Sequence, residues 1–438
     1  MAEQRYKSKP LESWQKAKEL RLNLYKDIAT AKERGKVLVS GGTEGLIVLA
    51  SGYDSVFFGG EPYGASAASM HGFALECQEA AEGKGFARDL CGYMRTYFGS
   101  MFLDRYAFGG PFPKPDFFFQ THICDTHSKW YVVTSEYEGV PYFCIDLVPY
   151  RWEEDEAGKK LKLEYLVGQM HDSIEWMEKI TGKKYDDERF IQAVNNECRS
   201  TSLWARICCL NKNIPAPLDE KSMFSFYVLA VLMRPEKRIV DFYQTLLAEV
   251  EDRVANQIAA VPTERCRLLH DSQPPWHALQ IFRYLERYGV VSVGAHYSLG
   301  LSGGWAEQED GSWGPAKTPE EQGIVLRTRD DAIWTLAEWV LETHSVLRSI
   351  RYSGPGKNEL IKRLAREWHV DGAMIHLNRG CEGLAVGQME LRLALLAAGI
   401  PVMTYEGNVA DPREFDEAKT LARIDAFMET LGLSKLEN

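Results

Sequence analysis

Residues 371–383 read Asp371-Gly-Ala-Met-Ile-His-Leu-Asn-Arg-Gly-Cys381-Glu-Gly383, and this stretch decides the fold class. Its apolar run over 372–377 has the length and composition of a buried β-strand. A helical pattern over 389–395 and a second apolar run over 400–405 follow. Strand, helix and strand in this order predict a unit of an α/β protein with parallel strands.

The position of Cys381 favours a chemical role. In open α/β sheets, ligands bind beyond the carboxyl ends of the strands. A cysteine there, between glycines that allow close approach of the backbone, is well placed for chemistry. A buried free cysteine that packs as a small apolar side chain is the alternative. Cys91, after a helical run, and Cys124, at the end of a predicted strand, stand in comparable places and favour the functional interpretation.

The length and the patterning predict several domains. A chain of 438 residues exceeds a single comfortable core. We predict, in order, an N-terminal helical arm, a first α/β domain, a mainly helical bridge and a second α/β domain, over 1–35, 36–150, 151–256 and 257–438.

Individual elements are predicted from local patterns. Residues 66–100 read as helical, 300–325 as a long irregular connection, and the segment around 421–431 as an amphipathic helix. The predicted strands are 36–40, 116–123, 140–148, 267–270, 290–294, 372–377 and 400–405.

Composition restricts the function class. The formal net charge of −11 argues against nucleic acid or an anionic membrane as partner. Residues 1–18 are polar, and the longest uncharged apolar stretch, 224–233, is too short to cross a bilayer, so we expect a soluble cytoplasmic protein. Nine cysteines in such a chain indicate reduced thiols, some of them candidate metal ligands.

The cysteine spacing alone leaves a metal site open. No CxxC pair occurs in the sequence, whereas zinc ribbons and ferredoxin-type sites show clustered cysteines. Widely spaced ligands can still converge where two α/β domains face each other across a cleft.

Several segments resemble the benzoyl-CoA reductase and 2-hydroxyacyl-CoA dehydratase family. The similarity extends from about residue 36 to residue 432 and is weakest in the helical middle. Within the family, the chain is most similar to the larger, B-type cluster-bearing subunit of an ATP-dependent class I benzoyl-CoA reductase. The segments that carry the resemblance are 89–95, 122–125, 378–383, 399–413 and 423–429.

The resemblance implies an iron–sulfur protein. Two Rossmann-like parallel-sheet domains would face each other across a cleft, and Cys91, Cys124 and Cys381 would hold a 4Fe–4S cluster between them. Thiolates suit such clusters, and three of them leave one iron open. Cys77 and Cys144 are further candidate ligands.

The resemblance also implies a reaction. The chain would belong to an oxygen-sensitive oxidoreductase of anaerobic aromatic degradation that reduces the ring of benzoyl-CoA to a cyclic dienoyl-CoA. Electrons would come from ferredoxin, and ATP with Mg would be hydrolysed on activator subunits. The implied assembly is a heterotetramer with a paralogous cluster-bearing subunit. The chain itself shows no Walker A motif.

Two histidines are candidate proton donors. His277 follows Pro274-Pro-Trp276, and His296 follows the predicted strand 290–294, so each stands near the carboxyl end of a strand. Histidine is a suitable general acid near neutral pH. A hydrogen-bonded structural histidine is the alternative for either one.

Four other residues are assigned weaker roles. His122 and His127 flank Cys124 and are candidates for tuning the cluster. Trp276 is a candidate for stacking on an aromatic substrate, with core packing as the alternative. Glu382 would orient a ligand or cap the helix that follows it.

Three alternative functions stay open. The chain would be a subunit of a 2-hydroxyacyl-CoA dehydratase, a lyase that uses the same cysteines and a ketyl radical. A second alternative is a non-catalytic electron-transfer or scaffold subunit, in which the cluster on this chain would have protein ligands at every iron. The last alternative is a structural zinc site.

Overall fold

The computed structural model describes residues 4–42, 46–151, 153–344 and 354–437. Its strands are β1 (Lys7–Ser8), β2 (Val37–Gly41), β3 (Ser55–Gly59), β4 (Phe117–Thr121), β5 (Tyr142–Ile145), β6 (Ile258–Ala259), β7 (Cys266–Asp271), β8 (Val290–Ala295), β9 (Trp305–Glu307), β10 (Trp313–Pro315), β11 (Gly372–Asn378) and β12 (Val402–Gly407).

Helices surround these strands and dominate the middle of the chain. They are α1 (Ser13–Thr30), α2 (Gly60–Ala68), α3 (His71–Gly83), α4 (Gly92–Phe102), α5 (Asp125–Glu138), α6 (Glu156–Thr181), α7 (Asp187–Cys209), α8 (Glu220–Ser225), α9 (Tyr227–Leu232), α10 (Lys237–Ala255), α11 (Gln280–Glu286), α12 (His296–Gly300), α13 (Arg329–Thr343), α14 (Gly354–Glu367), α15 (Glu382–Ala385), α16 (Gln388–Ala397) and α17 (Glu417–Thr430).

Two four-stranded parallel sheets carry the fold. The first has the order β3-β2-β4-β5 and the second the order β12-β11-β7-β8. Every residue of β2, β4, β7 and β8 is buried, as expected for parallel strands covered on both faces. The predicted α/β class with parallel sheets is confirmed. The sheets fall within the predicted ranges 36–150 and 257–438, and the domain boundaries themselves stay a prediction.

The helical middle is confirmed between residues 156 and 255. Three of its helices, α6, α7 and α8, begin after an aspartate that accepts a backbone N–H three residues on, as Asp155 does from Gly158 and Asp186 does from Arg189. α7 packs against α10, against α13 and against the 3₁₀ turn Ile47–Gly52 of the first unit. The bridge thus contacts the first α/β unit directly.

Three features differ from the sequence predictions. Strand β3 was not predicted, because its five residues, Ser55 to Gly59, give no clear alternation and the strand forms by pairing with β2. The supposedly irregular stretch 300–325 contains the antiparallel pair β9–β10, held by stacking of Trp305 on Trp313. The predicted N-terminal arm, whose first three residues lie outside the described ranges, adds β1 to β6 in parallel.

None of the described helices is both long enough and apolar enough to span a membrane.

Candidate functional site

Cys91, Cys124 and Cys381 line one cavity of about 100 Å³, here called the cysteine cavity. Cys124 lies beyond the end of β4 in the first sheet, and Cys381 lies beyond the end of β11 in the second. Residues separated widely in sequence therefore meet where the carboxyl ends of the two sheets face each other, which is the expected position of a ligand site in α/β proteins.

Each of the three cysteines occupies the position that immediately precedes a helix. Cys91 is the N-cap of α4, Cys124 that of α5 and Cys381 that of the short helix α15. The first N–H groups of a helix lack partners within the helix and favour negative charge. Burial raises the pKa of both Cys91 and Cys381, but backbone N–H groups of Tyr93 and Met94 lower that of Cys91, and those of Leu384 and Ala385 lower that of Cys381. The three helix N-termini therefore stabilise the ionised form of the cysteines around the cysteine cavity.

Glycines bring the cysteine-bearing turns into contact. Gly380 has a φ of +74°, and a Cβ on it would lie 2.7 Å from the carbonyl oxygen of Asp89, next to Leu90 and Cys91. A Cβ on Gly383 would lie 3.6 Å from the Cβ of Cys124. The turn around Cys381 is therefore seated directly against the segments that carry the other two cysteines.

Burial keeps the thiols of Cys91 and Cys381 neutral unless a cation binds them. It raises the pKa of Cys91 to about 12, with a further contribution from Cys381. Burial also raises the pKa of Cys381, against a hydrogen bond from Gln273. Coordination to metal deprotonates a thiol outright, so a bound cluster would supply the charge that the site lacks.

The donor set fits an iron–sulfur cluster. The three cysteines offer soft thiolates, the ligand type that such clusters use. Among the residues that the structure describes, no three His, Cys, Asp or Glu side chains are arranged to hold a single metal ion. A cluster presents several separate iron corners and accepts thiolates that are farther apart than the ligands of a single ion.

One wall of the cavity is aromatic. Tyr93, Tyr227 and Tyr297 line it and are all buried. The ring centroids of Tyr227 and Tyr297 lie 5.4 Å apart, and Trp276 packs behind them, 5.0 Å from Tyr227. Trp276 also donates its indole N–H to the hydroxyl of Tyr93. Burial raises the pKa of Tyr93 and that of Tyr297 well above the ordinary value for tyrosine, so these phenols stay neutral.

A carboxylate–imidazole pair forms another part of the wall. Glu61, in the first turn of α2, contacts Nε2 of His127, in α5. Both side chains are buried, and both residues line the cavity. A buried pair of this kind holds a proton between two heteroatoms, which is a suitable arrangement for general acid–base chemistry.

Glu382 also lines the cavity, as the first residue of α15. Burial raises the pKa of its carboxyl, and the neighbouring Asp125 raises it further. No lysine or arginine occurs among the described residues that line the cavity.

The two histidines predicted as proton donors lie elsewhere. Neither His277 nor His296 is among the described residues that line the cysteine cavity, although both are buried. His277 packs against His71 and Phe415, with ring centroids 6.1 and 5.7 Å away. Burial lowers the pKa of His277 to about 4, so its ring is neutral at pH 7. The proton-donor role of His277 and His296 stays a prediction, and their positions outside the cavity lining do not support it.

Of the other residues that the sequence suggested for the site, some line the cysteine cavity and others do not. His127 lines the cavity, whereas His122 points to Asp146, with 3.3 Å between Nδ1 and the carboxylate. The additional ligand candidates Cys77 and Cys144 are not among the described lining residues.

Sequence reasoning did not find Glu61, Tyr93 or Gln273. Glu61 follows the unpredicted strand β3, so no local signal placed it at a strand end. Tyr93 sits two residues after Cys91 and was detectable as its neighbour in a helix start. Gln273 donates its side-chain N–H to the sulfur of Cys381 at 3.3 Å, and no motif marks it.

A buried ion pair joins the two units beside the cavity. Nη1 of Arg95 in α4 lies 3.1 Å from Oδ2 of Asp411, which follows β12, and both side chains are fully buried. Arg95 also contacts Glu82, which in turn binds Arg413. The network fixes the start of α4, and hence Cys91, against the second unit.

Comparison with known proteins gives consistent matches. The family model described as 2-hydroxyglutaryl-CoA dehydratase, D-component, matches residues 56–431. The chain is 27% identical to the (R)-phenyllactyl-CoA dehydratase alpha subunit of Clostridium sporogenes, covering 85% of this chain and 84% of that protein. It is 25% identical to the (R)-2-hydroxyisocaproyl-CoA dehydratase alpha subunit of Clostridioides difficile, covering 94% and 95%. It is 24% identical to the B-type subunit of the benzoyl-CoA reductase of Thauera aromatica, covering 80% and 78%.

Proposed function

Because the chain belongs to the 2-hydroxyglutaryl-CoA dehydratase D-component family, we propose that it is the iron–sulfur subunit of an enzyme that acts on an acyl-CoA thioester. The observation that carries this proposal is the meeting of Cys91, Cys124 and Cys381 at three helix starts around one cavity. These residues would hold a 4Fe–4S cluster. When bound, such a cluster supplies single electrons at low potential.

The first candidate reaction is reduction of the aromatic ring of benzoyl-CoA. A wall of neutral tyrosine rings suits an aromatic group, since aromatic rings attract each other in edge-to-face and offset arrangements. The benzoyl-CoA reductase subunit among the relatives supports the same interpretation. The enzyme would then be an oxidoreductase.

Dehydration of an (R)-2-hydroxyacyl-CoA is the second candidate. The family model and the dehydratase alpha subunits support it at least as strongly, and one of those relatives is named for an aromatic substrate, phenyllactyl-CoA. The enzyme would then be a lyase, with no net consumption of electrons.

The residues of this chain would serve either reaction in the same way. The tyrosine wall would bind the acyl group and exclude water from it, which protects a reactive radical from quenching. The pair of Glu61 and His127 would hold the proton that is exchanged with the substrate, at Nε2 of His127 or at the carboxylate.

Partner proteins follow from the names of the relatives, which are all subunits. We expect a paralogous cluster-bearing subunit in the same complex. Ferredoxin as electron source, and activator subunits that hydrolyse ATP with Mg, belong to the proposal as well. Electron transfer or scaffolding without catalysis is less favoured, because the fourth ligand suggested for it, Cys144, is not among the described cavity residues.

The proposed function is tested by purification and assay under anaerobic conditions. The chain is purified with its natural co-subunits, iron and acid-labile sulfide are measured, and the complex is assayed with reductant and ATP. Ring reduction of benzoyl-CoA with two electrons per turnover would establish the reductase. Dehydration of (R)-phenyllactyl-CoA without ring reduction would establish the lyase. A folded complex without iron would refute both.

A further inference from the structure

We propose that Gln273 is a positioning residue that directs one N–H group at the sulfur of Cys381 and thereby raises the reduction potential of the bound cluster. This inference rests on the proposed function, since it requires a cluster on Cys381. Nε2 of Gln273 lies 3.3 Å from the sulfur, and Oε1 lies 3.5 Å from it. The direction of the amide therefore decides whether the donor or the acceptor lies nearer to the sulfur.

A fixed backbone donor settles that direction. The N–H of Val409 can only donate, and it lies 3.2 Å from Oδ1 of Asn378. The other end of the Asn378 side chain, 3.0 Å from Gln273, is therefore its NH₂ group. An NH₂ group requires an acceptor opposite it, so Oε1 of Gln273 faces Asn378.

The hydroxyl of Ser272 agrees with this orientation of the Gln273 amide. The hydroxyl of Ser272 also donates to Oε1 of Gln273, at 3.0 Å. A carbonyl oxygen has two lone pairs, and Asn378 and Ser272 use both. The NH₂ group of Gln273 is left for Cys381, where it meets a thiolate as a charge-assisted donor.

The backbone holds Gln273 in this pose. Ser272 has a φ of +77°, an uncommon conformation for a residue other than glycine. The carbonyl of Gln273 contacts Nδ1 of His376 at 2.7 Å, and two prolines follow it in the chain. Ser272, Gln273 and Asn378 are all buried, so water does not compete for these groups. The surroundings therefore fix the amide before any cluster binds.

A hydrogen bond to a cluster thiolate stabilises the more negative, reduced state, and such bonds are among the factors that set cluster potentials. Replacing Gln273 by Leu removes the donor, and we expect a lower midpoint potential. Asn378→Asp leaves Gln273 in place but sets a carboxylate oxygen against Oε1. The amide of Gln273 should then turn round, which brings its oxygen nearer to the sulfur and moves its N–H group farther away.

The experiment is a reductive titration of the anaerobic complex followed by electron paramagnetic resonance, with electron–nuclear double resonance after exchange into D₂O. Gln273→Leu should lower the midpoint potential and lose one exchangeable proton coupling to the cluster, and Asn378→Asp should lower the potential and weaken that coupling. Ser272→Ala is the matched control, because Asn378 alone still orients the amide, and it should keep both signals. The proton coupling separates the loss of the hydrogen bond from the added charge of Asp.

The outcomes separate the two proposals. A wild-type complex without iron and sulfide would refute the proposed function. A fully loaded complex in which both variants keep the wild-type potential and the wild-type proton coupling would refute the role of Gln273 alone. The iron content of each variant is measured as a control, to check that the cluster site is still assembled.

Discussion

The carboxylate of Glu61 contacts Nε2 of His127 on the wall of the cysteine cavity, although the two residues come from different helices of the first unit. We predict that Glu61→Gln and His127→Asn each lower turnover of the thioester substrate about 100-fold or more, the usual effect of losing a general acid or base. Iron content should stay at the wild-type level, because neither side chain is one of the three thiols.

A matched control exists on the surface. His171 contacts Asp330 at 3.0 Å in an exposed pair of the same type. His171→Asn should leave turnover unchanged. Wild-type turnover in both cavity variants would remove the pair from the mechanism.

The three cysteine ligands are tested by single substitutions to serine. Cys91→Ser, Cys124→Ser and Cys381→Ser should each lose iron and activity together, since a hydroxyl is a poor ligand for iron in a cluster. Iron and sulfide analysis of the anaerobic complex is the measurement. Cys209→Ser is the control, because Cys209 is equally half-buried but is not among the described cavity residues. Full iron content in any of the three variants would exclude that residue as a ligand.

The sequence predicted those parts of the site that follow strong apolar runs. Strand β11 leads directly to Cys381, and β4 leads to the segment of Cys124, so both cysteines were placed at strand ends. Glu61 was missed because β3 exists through pairing with β2 and not through its own pattern. A strand defined by its neighbours leaves little trace in local sequence.

Gln273 and the histidines show a second limit of sequence reasoning. The role of Gln273 depends on the unusual φ of Ser272 and on the amide of Asn378, which is distant in sequence. His277 and His296 do stand after strands, as predicted, but their side chains do not line the cavity. The direction in which a side chain points is set by tertiary packing, which the sequence does not display.

The buried pair of Arg95 and Asp411 should contribute strongly to stability. Asp411→Asn leaves the Arg95 charge buried with a weaker partner, and we expect a loss of about 3–5 kcal/mol in the free energy of unfolding. Urea titration of the complex measures it. Asp241→Asn is the control, because its exposed contact with Lys237 should be worth only about 0.3–0.5 kcal/mol. Equal effects of the two substitutions would contradict the prediction.

The same pair predicts sensitivity to acid. Burial raises the pKa of Asp411, but hydrogen bonds from Arg413 and the charge of Arg95 outweigh it and leave the pKa below its ordinary value. A carboxyl with a lowered folded-state pKa contributes stability that is complete above its unfolded pKa, about 4, and is lost as pH falls through the folded pKa. Asp411→Asn should therefore remove part of the acid dependence below about pH 4.

Buried neutral histidines predict a separate loss of stability that begins at higher pH. Burial lowers the pKa of His277 to about 4 and that of His344 and His376 to about 3. The unfolded chain binds a proton at each histidine near pH 6.5 while the folded chain does not, so stability falls as pH drops below about 6.5 and continues to fall until the folded pKa is reached. Three such groups give a slope of at most roughly 4 kcal/mol per pH unit.

Substitution of His344 isolates one of these contributions. Neither ring nitrogen of His344 makes a hydrogen bond of good geometry to the described residues, so His344→Leu removes the titrating group at little cost in ring hydrogen bonding. The slope of unfolding free energy against pH, measured by urea titration between pH 7 and pH 5, should fall by at most roughly 1.4 kcal/mol per pH unit. His369→Asn, at an exposed position with a φ of +53° that asparagine tolerates, should leave the slope unchanged. An unaltered slope in His344→Leu would mean that His344 is already protonated in the folded protein, and that a neighbouring acceptor offsets the cost of its burial.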